Sequence, residues 1–158
     1  DIGMQSLSGD NRKMDILSSQ FIENEGRVSP DGKWLVFVTD ESGANEVFVQ
    51  PFPGPGPRVQ VSTRGGDEPL WSPDGSKLYY RDDENIIEVN YTATSGFQLT
   101  GRHVLFPDVF VKRSLPHANY DIAPDGKSFL FLQSTASNDA MVVYNWIAEV
   151  RARLTDAH

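Results

Sequence analysis

Three stretches of the chain alternate apolar and polar residues in the same way after the same turn. Leu35 and Phe37, Leu78 and Tyr80, and Phe129 and Phe131 stand three and five residues after the glycines of Ser29-Pro30-Asp31-Gly32, Ser72-Pro73-Asp74-Gly75 and Ala123-Pro124-Asp125-Gly126. A period of two marks a strand with one buried face. Val28, Trp71 and Ile122 stand two residues before each Pro, so an incoming strand points at the same core. Each Pro-Asp-Gly is then a tight hairpin turn, in which Pro sets φ at the first corner, Asp bonds its own backbone and Gly accepts a positive φ. The turns recur at spacings of 43 and 51 residues, within the range of repeat architectures.

A second hairpin follows in each of the first two units. The polar turn Asp40-Glu41-Ser42-Gly43-Ala44-Asn45 leads to a strand at Glu46 to Gln50, with a fourth at Arg58 to Thr63. The turn Asp82-Asp83-Glu84-Asn85 leads to a strand near Ile86 to Tyr91, with a last one near His103 to Phe106. Four short antiparallel strands per unit of about 40 to 50 residues predict an all-β, partial β-propeller. Asp1 to Gln5 aligns with Glu46 to Gln50, and Met14 to Ser18 with Val59 to Thr63, so residues 1–20 read as the two outer strands of a half-blade. Blades are expected at 21–63, 64–107 and 117–146, the last lacking its outer strand. Its strands fall near Asn119 to Ile122, Ser128 to Gln133 and Met141 to Trp146, and Ile147, Val150 and Leu154 recur at helical spacing, which predicts a short terminal helix within 147–158.

Composition narrows the chemistry. The 158 residues carry 14 Lys and Arg against 22 Asp and Glu, a formal charge of −8. The basic residues stand singly or in pairs, so no surface tracks a phosphate backbone, and nucleic acid is not an expected partner. The longest apolar runs, Trp34 to Val38 and Ala140 to Tyr144, are five residues long, against roughly 20 for a membrane-spanning helix. The absence of cysteine removes disulfides, thiolate nucleophiles and Cys-based zinc sites together.

Several phrases carry a resemblance. Ser29 to Leu35 (SPDGKWL), Glu46 to Pro53 (EVFVQPFP) and Gly65 to Gly75 (GGDEPLWSPDG) resemble the TolB-type, WD-repeat-like β-propellers of bacteria. More narrowly, they are similar to the propeller that follows the kinase domain in many bacterial serine/threonine kinases. Asn119 to Gly126 and Asn145 to Glu149 match how such chains end. Gly3 stands where these repeats usually place an aromatic, and Ala123 replaces Ser in the third turn. The resemblance implies a binding scaffold in a periplasmic or other extracytoplasmic compartment. Propellers host many unrelated activities, so it implies no particular chemistry.

Tests for specific chemistry return little. Gly126-Lys127-Ser128 has the tail of a phosphate-binding loop, but position 121 is Asp where that loop needs Gly. There is no Gly-x-Ser-x-Gly elbow and no HExxH helix, and the histidines are His103, His117 and His158 alone. The acidic turns are read as solvated hairpins, and no metal or cofactor is expected. Pro51 to Pro57 (PFPGPGP) is read as a stiff connector between strands.

One constellation emerges from the repeat. The innermost strand of each blade lines a central channel, and Glu25, Glu68 and Asn119 fall at one equivalent position, five before each Pro. Asn24, Asp67 and Ala118 precede them, with Arg27 and His117 close by in the same frame. Glu25, Arg27, Asp67, Glu68, His117 and Asn119 therefore form a candidate ligand-binding rim. As solvent-facing residues, Glu68 and His117 are expected to change stability by less than about 0.5 kcal/mol when truncated. The expected function is a non-enzymatic binding module for a protein, peptide or small ligand, and two copies are expected to complete a ring as a homodimer. Two alternatives stay open: a propeller portion of a prolyl-oligopeptidase-type hydrolase, and the sensor portion of a bacterial receptor kinase.

Overall fold

The repeated turns close as their residues require. In the computed structural model, which describes residues 1–9, 11–110 and 118–132, Gly32, Gly75 and Gly126 take φ values of 72°, 69° and 68°. Only a residue without Cβ adopts this region at little cost. Asp31 Oδ1, Asp74 Oδ1 and Asp125 Oδ1 accept from the amides of Lys33, Ser76 and Lys127 at 3.1, 3.0 and 3.0 Å. The serines add a second tie. Ser29 and Ser72 donate to Asp31 and Asp74 at 2.6 Å and accept from the amides of Trp34 and Lys77 at 3.0 and 2.9 Å. Ala123 has no hydroxyl, so the third turn lacks these side-chain ties and keeps its backbone bonds, from the Gly126 amide to Ala123 and from the Ala123 amide to Ser128, both at 2.8 Å, with the Asp125 tie. Hydrogen bonds from Ser72, then from the Ser76 amide and hydroxyl, lower the Asp74 carboxyl from 3.8 to about 2. This link between ionisation and folding is complete above pH 3.8 and is lost as the pH falls through about 2.

Among the described residues there are twelve strands. The half-blade pairs β1 (Ile2–Gln5) with β2 (Lys13–Leu17). The first full blade is β3 (Glu23–Val28), β4 (Trp34–Thr39), β5 (Glu46–Pro51) and β6 (Val59–Gln60), antiparallel and in chain order. The second is β7 (Asp67–Trp71), β8 (Lys77–Arg81), β9 (Asn85–Thr92) and β10 (Gln98–Pro107). β11 (Tyr120–Ile122) and β12 (Phe129–Phe131) open a third. The chain is thus an all-β partial propeller. The strand expected at Met141 to Trp146 and the terminal helix expected within 147–158 lie outside the described residues.

Two strands of the first and second blades differ most from the expected lengths. β10 runs for ten residues rather than four, because bulges at Leu99/Gly101 and Val104/Phe106 break its alternation while β9 keeps pairing with it. β6 is only two residues, extended by the Val61 amide donating to the Val47 carbonyl at 2.7 Å.

The core lies between blades. On β4, Leu35 and Phe37 face the half-blade, packing with Leu17, Ile2, Ile16 and Phe48, while Val36 and Val38 face the second blade and join Val47, Val49, Leu78 and Tyr80. Both faces of β4 are therefore buried, not one, because a blade with neighbours on each side has no solvent face. Phe37 is fully buried and stacks on Phe48 at 6.1 Å. An aromatic ladder joins the second blade to the third: Tyr79 meets Phe129 edge-on at 5.0 Å and Phe106 meets it at 6.0 Å, while Phe110, after β10, stacks on Phe131 at 4.1 Å. Leu130 and Leu132, on the third blade, are 74% and 55% exposed. Among the described residues no helix is long and apolar enough to cross a membrane.

Candidate functional site

The inner strands β3 and β7 each carry a bulge at the same place in the repeat. Pairing slips between Asn24 and Arg27 and between Asp67 and Leu70, and the intervening Glu25 and Glu68 take φ values of 55° and 51°. A side chain in this left-handed region costs about 1 to 2 kcal/mol. Hydrogen bonds from the next blade offset that cost. The Glu68 amide donates to Glu25 Oε2 at 2.6 Å, and the Asn119 amide donates to Glu68 Oε2 at 2.7 Å. Each carboxylate thus accepts the backbone of the equivalent residue one blade on. Asn119 Nδ2 adds a bond to Glu68 Oε1 at 3.0 Å, and the Tyr120 hydroxyl donates to the Glu68 carbonyl at 2.7 Å.

Glu68 is consequently buried, at 2% exposure, and the expectation of a solvent-facing rim residue is corrected. A buried carboxylate needs compensation, and Arg81 provides it. Its Nη1 lies 3.2 Å from Glu68 Oε2, while Nε and Nη2 grip Asp108 Oδ2 and Oδ1 at 2.8 and 3.0 Å. The guanidinium also sits 5.8 Å from the Tyr120 ring centroid. Burial, then the Glu68 charge, raises the Tyr120 hydroxyl far above its ordinary value, so it stays a donor at all physiological pH.

The six rim residues therefore separate. Glu25, Glu68 and Asn119 come together as a relay between blades. Asp67 accepts from Asn45 Nδ2 at 2.9 Å, fastening the turn before β5 to the second blade. Arg27 stays exposed and shares a cleft of about 430 Å³ with Asn119, Tyr120, Asp121, Leu130 and Leu132. His117 lies outside the described residues. Arg81 and Asp108 were missed because they do not belong to the repeat: the positions equivalent to Arg81 are Val38 and Leu132. Their only sequence signal is a charge at the end of an apolar strand. Among the described residues no group of three or more His, Asp or Glu is placed to hold a metal ion.

The architecture is similar to that of TolB from Acinetobacter baumannii, with a TM-score of 0.57 and 18% identity over 85% of this chain. Its fold is TolB-like. The likeness covers 32% of the TolB chain, so this chain spans about a third of that protein's length. No family model matches the chain, and no curated protein matches it. Within the TolB-like frame, the cleft beside Arg27 opens where inner strands of the first and third blades approach each other, and concave sites of this kind are where rigid scaffolds take ligands.

Proposed function

We propose that the chain is a non-enzymatic propeller module that binds a peptide or protein segment in the cleft between Arg27 and the third blade. The observation that carries this reading is the lining of that cleft. An exposed guanidinium and the polar edge of Asn119 face the apolar surface of Leu130 and Leu132, across about 430 Å³. Such a mixture suits an extended peptide with an acidic and an apolar side chain, because Arg forms bidentate bonds to carboxylates while the leucines take up apolar area. The repeated Ser-Asp pairs hold turns together, through Ser29 with Asp31 and Ser72 with Asp74, which gives these hydroxyls a structural role. The same cleft would serve as a ligand site if the chain is the sensor portion of a receptor kinase, the narrower resemblance of its repeat phrases.

The test is affinity for peptides selected by panning a random display library on the purified chain. Arg27→Glu and Leu130→Asp are each expected to weaken the selected peptides at least tenfold with little change in melting temperature. Peptides that bind both variants as tightly as the parent would overturn the assignment, as would hydrolysis of peptide or ester substrates that copurifies with the protein.

A second copy of the chain is the competing occupant of this face, because self-association covers Leu130 and Leu132 in place of a peptide. Met14 on the half-blade is 44% exposed, and the third blade exposes Leu130 and Leu132. Two copies meeting head to tail cover these faces through two equivalent interfaces and leave no growing end. Light scattering after gel filtration is expected to give twice 17.6 kDa. A species that stays monomeric at high concentration excludes ring completion between copies.

A further inference from the structure

A second cleft lies where the first and second blades meet, between the loop after β6 and the strands β8 to β10. It encloses about 180 Å³ and is lined by Arg64, Tyr80, Asp82, Arg102 and His103 among others. That volume is below the roughly 300 to 1,000 Å³ of drug-sized sites and suits a carboxylate with a small substituent. In a chain of charge −8, Arg64 and Arg102 bring two positive charges to this cleft, beside the single carboxylate of Asp82 in its lining.

The residues of the cleft are arranged rather than merely near. The Arg102 Nε–H donates to the Val61 carbonyl across the blade interface. This fixes the plane of the guanidinium while leaving both Nη groups without a partner among the described residues. A guanidinium held in this way presents a preformed fork for a planar oxyanion. Tyr80 forms the floor at 4% exposure, and its hydroxyl has no partner among the described residues. The hydroxyl itself is not sealed in the core, so it opens onto the cleft and is free to donate to a ligand there. Burial raises its pKa above the ordinary 10, against the opposing effect of Arg102, so it is a donor at neutral pH.

The negative groups nearby are already engaged. Asp82 Oδ1 accepts from the amides of Glu84 and Asn85 at 2.8 and 2.6 Å. Glu46 accepts from the Ser62 hydroxyl and, at 3.0 Å, from the Gly65 amide. Their charges still oppose a dianion, and this favours a singly charged carboxylate over phosphate. We infer that the cleft between β6 and β10 is a binding site for a small carboxylate, held by the Arg102 fork and the Tyr80 hydroxyl, with Arg64 closing over it. The site stands apart from the Arg27 cleft and does not depend on the function proposed for it.

The experiment is a titration at constant ionic strength, followed by NMR on the Arg102 Nε–H and the Tyr80 ring. Acetylglycine stands for a chain terminus, acetylaspartyl amide for an acidic side chain, and inorganic phosphate is the comparator. Saturable shifts with at least one carboxylate, at lower concentration than with phosphate, are expected, and the tighter of the two identifies the source. Arg102→Gln is expected to weaken binding at least tenfold and Tyr80→Phe about threefold or more. Because Arg102→Gln also loses the bond to Val61, Tyr80→Phe decides the matter if that variant unfolds. Shifts that rise linearly without saturating, tighter binding of phosphate, or unchanged affinity in Tyr80→Phe would overturn the site.

Discussion

Replacing Glu68 with alanine is expected to cost about 3 to 5 kcal/mol, the usual loss when one member of a buried ion pair is removed. The side chain lies at 2% exposure and holds Arg81, the Asn119 amide and Asn119 Nδ2 at once. Its loss strands a buried amide and leaves Arg81 with Asp108 as its remaining carboxylate partner among those described above. Glu68→Gln keeps an acceptor for the Asn119 amide and should therefore lose less. Chemical denaturation of the two variants against the parent separates the charge from the hydrogen bonds. A loss below about 0.5 kcal/mol for Glu68→Ala would return the residue to a solvent-facing rim.

That contrast shows where the sequence is readable. The equivalence of Glu25, Glu68 and Asn119 follows from counting back from each Pro, and the strands after each turn follow from a period of two. Neither count contains the angle at which one blade meets the next. Whether Glu68 points at a channel or at the Asn119 amide is decided by that angle, and so the burial of a charged residue was invisible. Arg81 and Asp108, absent from the other repeats, had no pattern to betray them. The same limit applies to β4, where alternation of large and smaller apolar residues along Leu35, Val36, Phe37 and Val38 reads as one buried face but serves two interfaces. The Arg102 cleft is a product of tertiary packing: Val61 and Arg102 are 41 residues apart and in different blades.

Phe37→Ala is the second large effect, at about 3 to 5 kcal/mol for a buried aromatic truncated in a packed core. Phe37 has no exposed surface, stacks on Phe48 and lies under the Arg58 guanidinium, 5.5 Å from its ring centroid. Its cluster also holds Leu17 and Ile2 of the half-blade. The damage should therefore be felt beyond its own blade. Hydrogen exchange is expected to show amides of β1 and β2 losing protection first, while β8 and β9 keep theirs. Equal loss of protection in all blades would mean that the half-blade does not unfold as a separate unit.

The bonds from carboxylate to amide run one way, each from the side chain of one repeat to the backbone of its successor. A repeat of this kind carries both halves of its own coupling, an acceptor facing forward and a backbone amide facing back. Duplicating such a unit within the gene inserts a ready-made link between neighbours that need no change. Blade number is then free to drift over evolutionary time, as wagons are added to a train. Asn119 shows how such drift can be tuned, since its side-chain amide reaches backward to Glu68 and a single residue at that position changes the character of the joint.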